Sequence, residues 1–443
     1  DRLYGALIRL AWAAVIPYQV VIALLRGRRH PLRLEERLGR PRQILSGGIW
    51  VHAVSVGEVR LALSLVARLK ESAPGLPIHL TTGTETGRTL AMTSAGAAGG
   101  PDSVSAFPFD LPGPMGRLLD RLQPRLVLIL ETELWPNLFT LCGRRGIPVA
   151  LANGRISARA YPRYLAVRPF FASALRAVRL FSMQSEEDAD RARRLGAPAG
   201  LVRVTGNLKY DLPLPSLDAD EARRRLALPR DLLLFVAGST APGEEAPILE
   251  AFTALRVERS SSRLAIVPRH PEDLRRTEDA LRSRGLRVRR YSRLGVETGP
   301  PDPGYDALLV DVMGVLPEVY AAADLVFVGG SLVSRGGQNL LEPAALGKPV
   351  LFGPRTQNFR AAATSLLQAG AGFVARDGRE LGRLLVRLAR NPDAARLAGE
   401  RGRLVVEANR GALDRTVALL QPLLDHPSRD GAGIPAIAPG APA

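Results

Sequence analysis

A single cysteine, Cys142, is all this chain contains, so no disulfide can close within it and no thiolate cluster can hold zinc. That scarcity fits a reducing compartment. Histidine is nearly as rare. His30, His52, His79, His270 and His426 show no metal-ligand spacing, and a protein metal site is not implied. Acidic residues are also in deficit: 43 Asp and Glu against 60 Lys and Arg leave a formal charge of +17. A basic chain favours an anionic partner, either nucleic acid or an anionic membrane with its phosphorylated lipids. The arginines are scattered through helical patterns (221–226, 275–290), often beside Asp or Glu, as on a solvated face. No RRM, KH or zinc-finger spacing is present, so nucleic acid is not the expected partner. No internal repeat is visible.

One long apolar run stands out at residues 3–25, interrupted by Arg9, Pro17 and Gln19. It is long enough to reach across a bilayer as a helix. A basic cluster follows it: Arg26, Arg28, Arg29, His30, then Arg33, Arg37 and Arg40. A cleaved signal peptide fits less well, because the charges follow the run and no small-residue cleavage site is evident. Arg9 and Pro17 keep a helix lying in the interface as the alternative to a spanning one. The expectation is a membrane anchor at residues 1–30, its positive flank holding the next domain on the cytoplasmic side and suiting anionic headgroups. At the other end, residues 427–443 are rich in Pro, Gly and Ala and read as a disordered tail.

With 443 residues, two domains of ordinary size are the default. From Gly48 short apolar runs alternate with helical patterns. Strand candidates are 49–54, 78–82, 104–107, 126–130, 149–153, 180–184 and 202–205, then 232–238, 264–267, 307–310, 325–328 and 349–352. Strands that alternate with helices make parallel sheets, whose ligands gather at the C-terminal strand ends. The Pro-punctuated stretch from Lys209 to Leu217 has no periodicity and reads as a link between two halves. The expected division is a first domain at 31–211, a linker at 212–220 and a second domain at 221–426.

The strand ends carry the chemistry. In the second half an apolar strand runs into Gly329-Gly330, and Gly336-Gly337 then leads to a helix start at Asn339 with Glu342 one turn in. Glycines there let the backbone approach a ligand, and a helix N-terminus offers N–H groups to an anion. An ordinary βαβ turn with capping Asn and Glu explains the same residues. In the first half, Ser55 and Glu58 have the Ser-x-x-Glu spacing of a capping box. Glu58 is equally placed to take a proton from a sugar hydroxyl, and both readings stay open. Glu131 and Glu133 follow the apolar run 126–130 with Trp135 beside them, a costly grouping unless something uses it. Lys209 puts an ammonium at a third strand end, suited to a carboxylate or phosphate.

Taken together, these motifs resemble the Kdo transferases, which attach 3-deoxy-D-manno-oct-2-ulosonic acid to lipid A. The matching segments span about 48–375 and include His52-Ala-Val-Ser-Val-Gly-Glu58, Thr81-Thr-Gly-Thr-Glu-Thr-Gly87, Glu131-Thr-Glu-Leu-Trp-Pro-Asn137, Asn153-Gly-Arg-Ile-Ser157 and Thr205-Gly-Asn-Leu-Lys-Tyr-Asp211. Gly238-Ser-Thr240, Gly243-Glu-Glu245, Val267-Pro-Arg-His-Pro271, Asp311-Val-Met-Gly314 and Phe327-Val-Gly-Gly-Ser-Leu332 continue the set in order. The resemblance implies an α/β protein of the GT-B class, two Rossmann-like domains facing across a cleft. It implies an inverting transferase that uses CMP-Kdo, with a lipid A precursor as acceptor, at the cytoplasmic face of a bacterial inner membrane. On the family's pattern Glu58 is the general base for the acceptor's 6′-hydroxyl, and Glu131 and Lys209 stabilise the transition state. Pro268, Arg269, Met313, Gly314, Val315, Ser331, Asn339, Leu340, Leu341 and Glu342 fall on the CMP-binding segments. No metal is implied. Gln338 and Arg355 stand where the family commonly has His, and Val315 where it has Glu. A GT-B transferase with another donor, or an inactive basic membrane-binding scaffold, are the alternatives.

Overall fold

The computed structural model describes residues 33–425, apart from 132, 159, 167, 169–171, 173–174, 213–217, 230 and 295–303. The expected anchor, most of the linker's proline-rich stretch and the expected tail lie outside the described residues. Among those described, no helix is long and apolar enough to cross a membrane.

The chain divides into two compact units, one formed by residues up to 212 together with those from 410, the other by 213–409. In the first, β1 (Ile49–Ala53), β2 (Ile78–Thr82), β3 (Ser103–Ala106), β4 (Leu126–Leu130), β5 (Val149–Gly154), β6 (Val178–Met183) and β7 (Val202–Val204) form one sheet. Its order is β3-β2-β1-β4-β5-β6-β7, and every pairing is parallel. Strand β4 (Leu-Val-Leu-Ile-Leu) shows why the runs are continuously apolar. Leu126, Leu128 and Leu130 pack into one cluster with the helix Val56–Ser72, while Val127 and Ile129 pack into another with the helices Pro112–Leu122 and Pro136–Arg144. A parallel sheet covered on both faces has no solvent side to make polar.

The second unit repeats the scheme with β8 (Leu233–Thr240), β9 (Ser262–Pro268), β10 (Val288–Arg290), β11 (Ala307–Leu309), β12 (Leu325–Val328), β13 (Val350–Phe352) and β14 (Gly372–Val374). The order is β10-β11-β9-β8-β12-β13-β14, again all parallel. Edge strands β10 and β14 escape the sequence pattern because each is three residues long and only partly buried. In both sheets the order reverses beside the first strand, between β1 and β4 and between β8 and β12. Such a switch point opens a crevice at the C-terminal strand ends.

One boundary differs from expectation. The helix Ala412–Asp425 was assigned with the second half, but its Ala412, Val417, Leu420, Leu423 and Leu424 are buried in the core of the first unit beside Leu61 and Leu65. Its apolar face, rather than its place in sequence, decides which core it joins. Asp211 receives the N–H groups of Gly411 and Leu413, both at 2.7 Å, and so caps this helix from the end of the first unit's earlier segment.

Candidate active site

Two of the three proposed catalytic residues stand at the switch point of the first sheet. Glu58 is the third residue of the helix that follows β1. The Ser55 hydroxyl donates to its Oε1 at 2.7 Å and the Val54 N–H to its Oε2 at 2.8 Å, while Ser55 Oγ accepts from the Glu58 N–H. The capping box is therefore real. It leaves the carboxyl half-buried at the strand end, where burial pushes its pKa up, offset in part by these donors and assisted by the charge of Glu131.

Glu131 directly follows β4 with a backbone φ of 54°, the left-handed region that a non-glycine residue adopts only at a cost. The chain then turns sharply through Glu133 and Trp135 into the helix Pro136–Arg144. Asp110 fixes that turn from the β3 side, accepting from the N–H groups of Asn137 (3.2 Å) and Leu138 (3.0 Å). Trp135 packs against Phe107 at 4.8 Å between ring centroids, and Phe107 stacks on His52 at 3.8 Å. His52 Nδ1 lies 3.1 Å from the carbonyl and 3.0 Å from the hydroxyl of Thr81. Its Nε2 and the indole N–H of Trp135 are buried without a hydrogen-bond partner.

Lys209 comes from far along the sheet. It follows β7, three strands away from β4, yet its Nζ lies 3.2 Å from Glu131 Oε1. The intervening turn explains how. Thr205 bonds Ser182 at the end of β6, and Leu208 donates its N–H to Asn153 Oδ1 at the end of β5. Asn207 then accepts from the Lys209 N–H. The segment thus runs back over the ends of β6 and β5 until the ammonium reaches β4. Asn153 is itself held at φ 57°.

Glu133 is the residue that sequence reasoning leaves without a role. It is half-buried, and burial together with the charges of Glu58 and Glu131 lifts its pKa to about 7. The available signal was the alternation Glu131-x-Glu133 immediately after a fully buried strand. Among the described residues, no group of three or more His, Cys, Asp or Glu side chains is placed to hold a metal ion.

In the second unit the expected nucleotide residues lie along the C-terminal ends of the strands. Pro268 closes β9 and the Arg269 N–H donates to Thr240 O at the end of β8. Met313 and Gly314 are exposed after β11, Gly314 with φ 88° and open space around it, and Val315 directly precedes the helix Leu316–Ala322 without a capping side-chain bond. Asn339 accepts from the Leu341 N–H and donates to Glu342 Oε1 at 3.0 Å, so Glu342 is held in place by its neighbour.

Ser331 is fully buried, its hydroxyl donating to Val328 O and accepting from the Gly353 N–H. Leu340 and Leu341 are buried as well. The N–H groups directly after β12, where the paired glycines let the backbone come close, are already occupied. Glu244 is fully buried, and its carboxylate accepts from Ala241, Gly330, Ser331 and Leu332 at 2.7–3.0 Å. An internal carboxylate thus fills the anion cradle. Of the departures from the family pattern, Gln338 lies over Gly330 and Arg355 bonds the Ser334 hydroxyl.

Comparison with known proteins places the chain in a family. A family profile described as 3-deoxy-D-manno-octulosonic-acid transferase (kdotransferase) matches residues 32–212. The 3-deoxy-D-manno-octulosonic acid transferase of Bordetella pertussis is 36% identical over 402 residues, covering 88% of this chain and 91% of the relative. That of Haemophilus influenzae is 35% identical, covering 86% and 88%. A glycosyltransferase structure from Rickettsia africae shares the fold alone, with a TM-score of 0.56 at 11% identity over 86% of this chain and 99% of that one. The chain belongs to the 3-deoxy-D-manno-octulosonic-acid transferase family and is a glycosyltransferase of the GT-B class.

Proposed function

We propose that this transferase moves Kdo from CMP-Kdo to the 6′-hydroxyl of a lipid A precursor, with inversion at the anomeric carbon. The observation that carries this reading is the half-buried Glu58 beside the Glu131–Lys209 ion pair. Glu58 accepts the hydroxyl proton as the acceptor oxygen attacks the anomeric carbon. The bond from that carbon to the CMP phosphate breaks, and its electron pair leaves on the phosphate. Glu131 faces the positive charge that develops on the sugar, and Lys209 pairs with Glu131 and meets the sugar acid's carboxylate. Arg269 pairs with the donor phosphate, Glu342 accepts from the ribose hydroxyls, and Pro268, Met313, Gly314, Val315 and Asn339 shape the nucleotide's seat. Residues 1–30 anchor the protein at the cytoplasmic face of a bacterial inner membrane, whose anionic surface the basic flank meets.

Glu58→Gln separates the two uses of that carboxyl, because Gln also completes a capping box but does not accept the proton. Transfer should fall by about 10²–10⁴-fold, the usual worth of a general base. CMP binding by calorimetry should be retained. A variant that still transfers at the wild-type rate would remove Glu58 from the reaction.

A further inference from the structure

Glu58 and Glu133 both feel the negative charge of Glu131, Glu133 also feels that of Glu58, and the one ion pair printed among these carboxyls joins Glu131 to Lys209. Their partners differ. Glu131 has the ion pair at 3.2 Å, and Glu58 has a hydroxyl and an N–H donor on its two oxygens. At Glu58 these donors favour the charged form and work against the burial that raises its pKa. Among the described residues no cation and no hydrogen-bond donor reaches the Glu133 carboxyl. The other titratable group that senses it is Tyr164 on the helix Tyr161–Ala166, itself raised by burial and by Glu133's charge. A proton bound by this cluster therefore rests on Glu133.

We propose that Glu133 is a positioning residue that works as a neutral carboxylic acid: it holds the cluster's proton, so that Glu58 stays ionised as base and the site stays open to an anionic sugar donor. Its O–H is at the same time a hydrogen-bond donor for an oxygen of the acceptor. The lift of its pKa to about 7 agrees with the partner arrangement. Above neutrality Glu133 ionises, a further negative charge faces a donor that carries its own carboxylate and phosphate, and turnover drops. This inference rests on the Kdo-transfer reading above.

The test is the pH dependence of kcat/KM for transfer, in wild type and Glu133→Gln, with carboxyl infrared spectra of both proteins recorded without substrate. The wild type should lose activity about tenfold per pH unit above the neutral range. Glu133→Gln, which carries an uncharged donor at every pH, should flatten that limb, so that the ratio of rates at pH 6.5 and 8.5 falls from about tenfold or more to about twofold or less. The infrared band of a protonated carboxyl, titrating near neutrality in wild type, should vanish in the variant. Superimposable rate profiles, or a wild type without such a band, would overturn the proposal. If wild type transfers no Kdo at any pH, the functional reading fails, while the infrared titration still decides whether Glu133 holds the proton. Should Glu133→Gln fail to fold, Glu133→Asp serves: its alkaline limb should move relative to wild type, and an unmoved limb counts against the proposal.

Discussion

Glu58 caps a helix with the carboxyl that the proposed reaction would use as its base, which is why its spacing alone leaves its role open. The same hydrogen bonds that cap a helix aim the group and hold it at the strand end. Glu133 shows the opposite case, a carboxyl with no local partner and therefore a cost to the fold when ionised. A buried acid whose folded pKa lies above its ordinary value of 4.5 binds more protons folded than unfolded between that value and about 7. Its presence is therefore neutral in acid, and stability is lost as pH rises through that window. Glu133→Gln should stabilise the protein at about pH 8, on the order of 2 kcal/mol, with little difference at pH 4 in parallel denaturant titrations. Equal differences at both pH values would show that Glu133 is not proton-linked. Glu244 makes a matching prediction in the second unit. Replacing its carboxylate by Gln puts an NH₂ group against buried N–H donors, and should lower stability by about 2–4 kcal/mol in chemical denaturation. The sequence carries both glutamates in plain view. Their roles are not legible there because a nest of N–H groups at 330–332 and a missing partner at 133 are facts of three-dimensional packing.

At the scale of elements, most strands are readable because a parallel sheet covered on both faces demands unbroken apolar runs, as in β4. Strands β10 and β14 lack such runs, and nothing local marks them. The turn from Thr205 to Asp211 is the element on which the site depends most. It brings Lys209 back across two strands, with Asn153 receiving Leu208 and Asp211 capping the helix Ala412–Asp425. Sequence motifs marked both ends of this arrangement without revealing that they meet. Asp211→Ala should cost about 1–2 kcal/mol through the lost cap, measured by thermal unfolding. Because Lys209 lies two residues upstream, transfer should drop beyond what stability explains when assayed well below the melting temperature. Normal kcat in that variant would mean the ammonium is positioned independently of the cap.

For the whole molecule, the first unit is discontinuous in sequence, since its last helix returns after the second unit is complete. It also buries two histidines between strands. His79 bridges the hydroxyls of Ser103 and Ser105, His52 sits over Phe107, and burial lowers the pKa of each from 6.5 to about 3. Between those values the unfolded chain takes up protons that the folded one refuses, so stability falls as pH drops below 6.5. His79→Gln should shallow that acid dependence, seen as a smaller loss of melting temperature from pH 6.5 to 4 than in wild type. An unchanged slope would assign the acid sensitivity to other groups. The central claim, Kdo transfer to a lipid acceptor, has a more direct test. An acylated lipid A precursor is incubated with the detergent-solubilised protein, Kdo, CTP and a CMP-Kdo synthetase, and the lipid is weighed by mass spectrometry. The account predicts a gain of whole Kdo units that depends on Glu58. An unchanged lipid mass, with a known family member active in parallel, would contradict it.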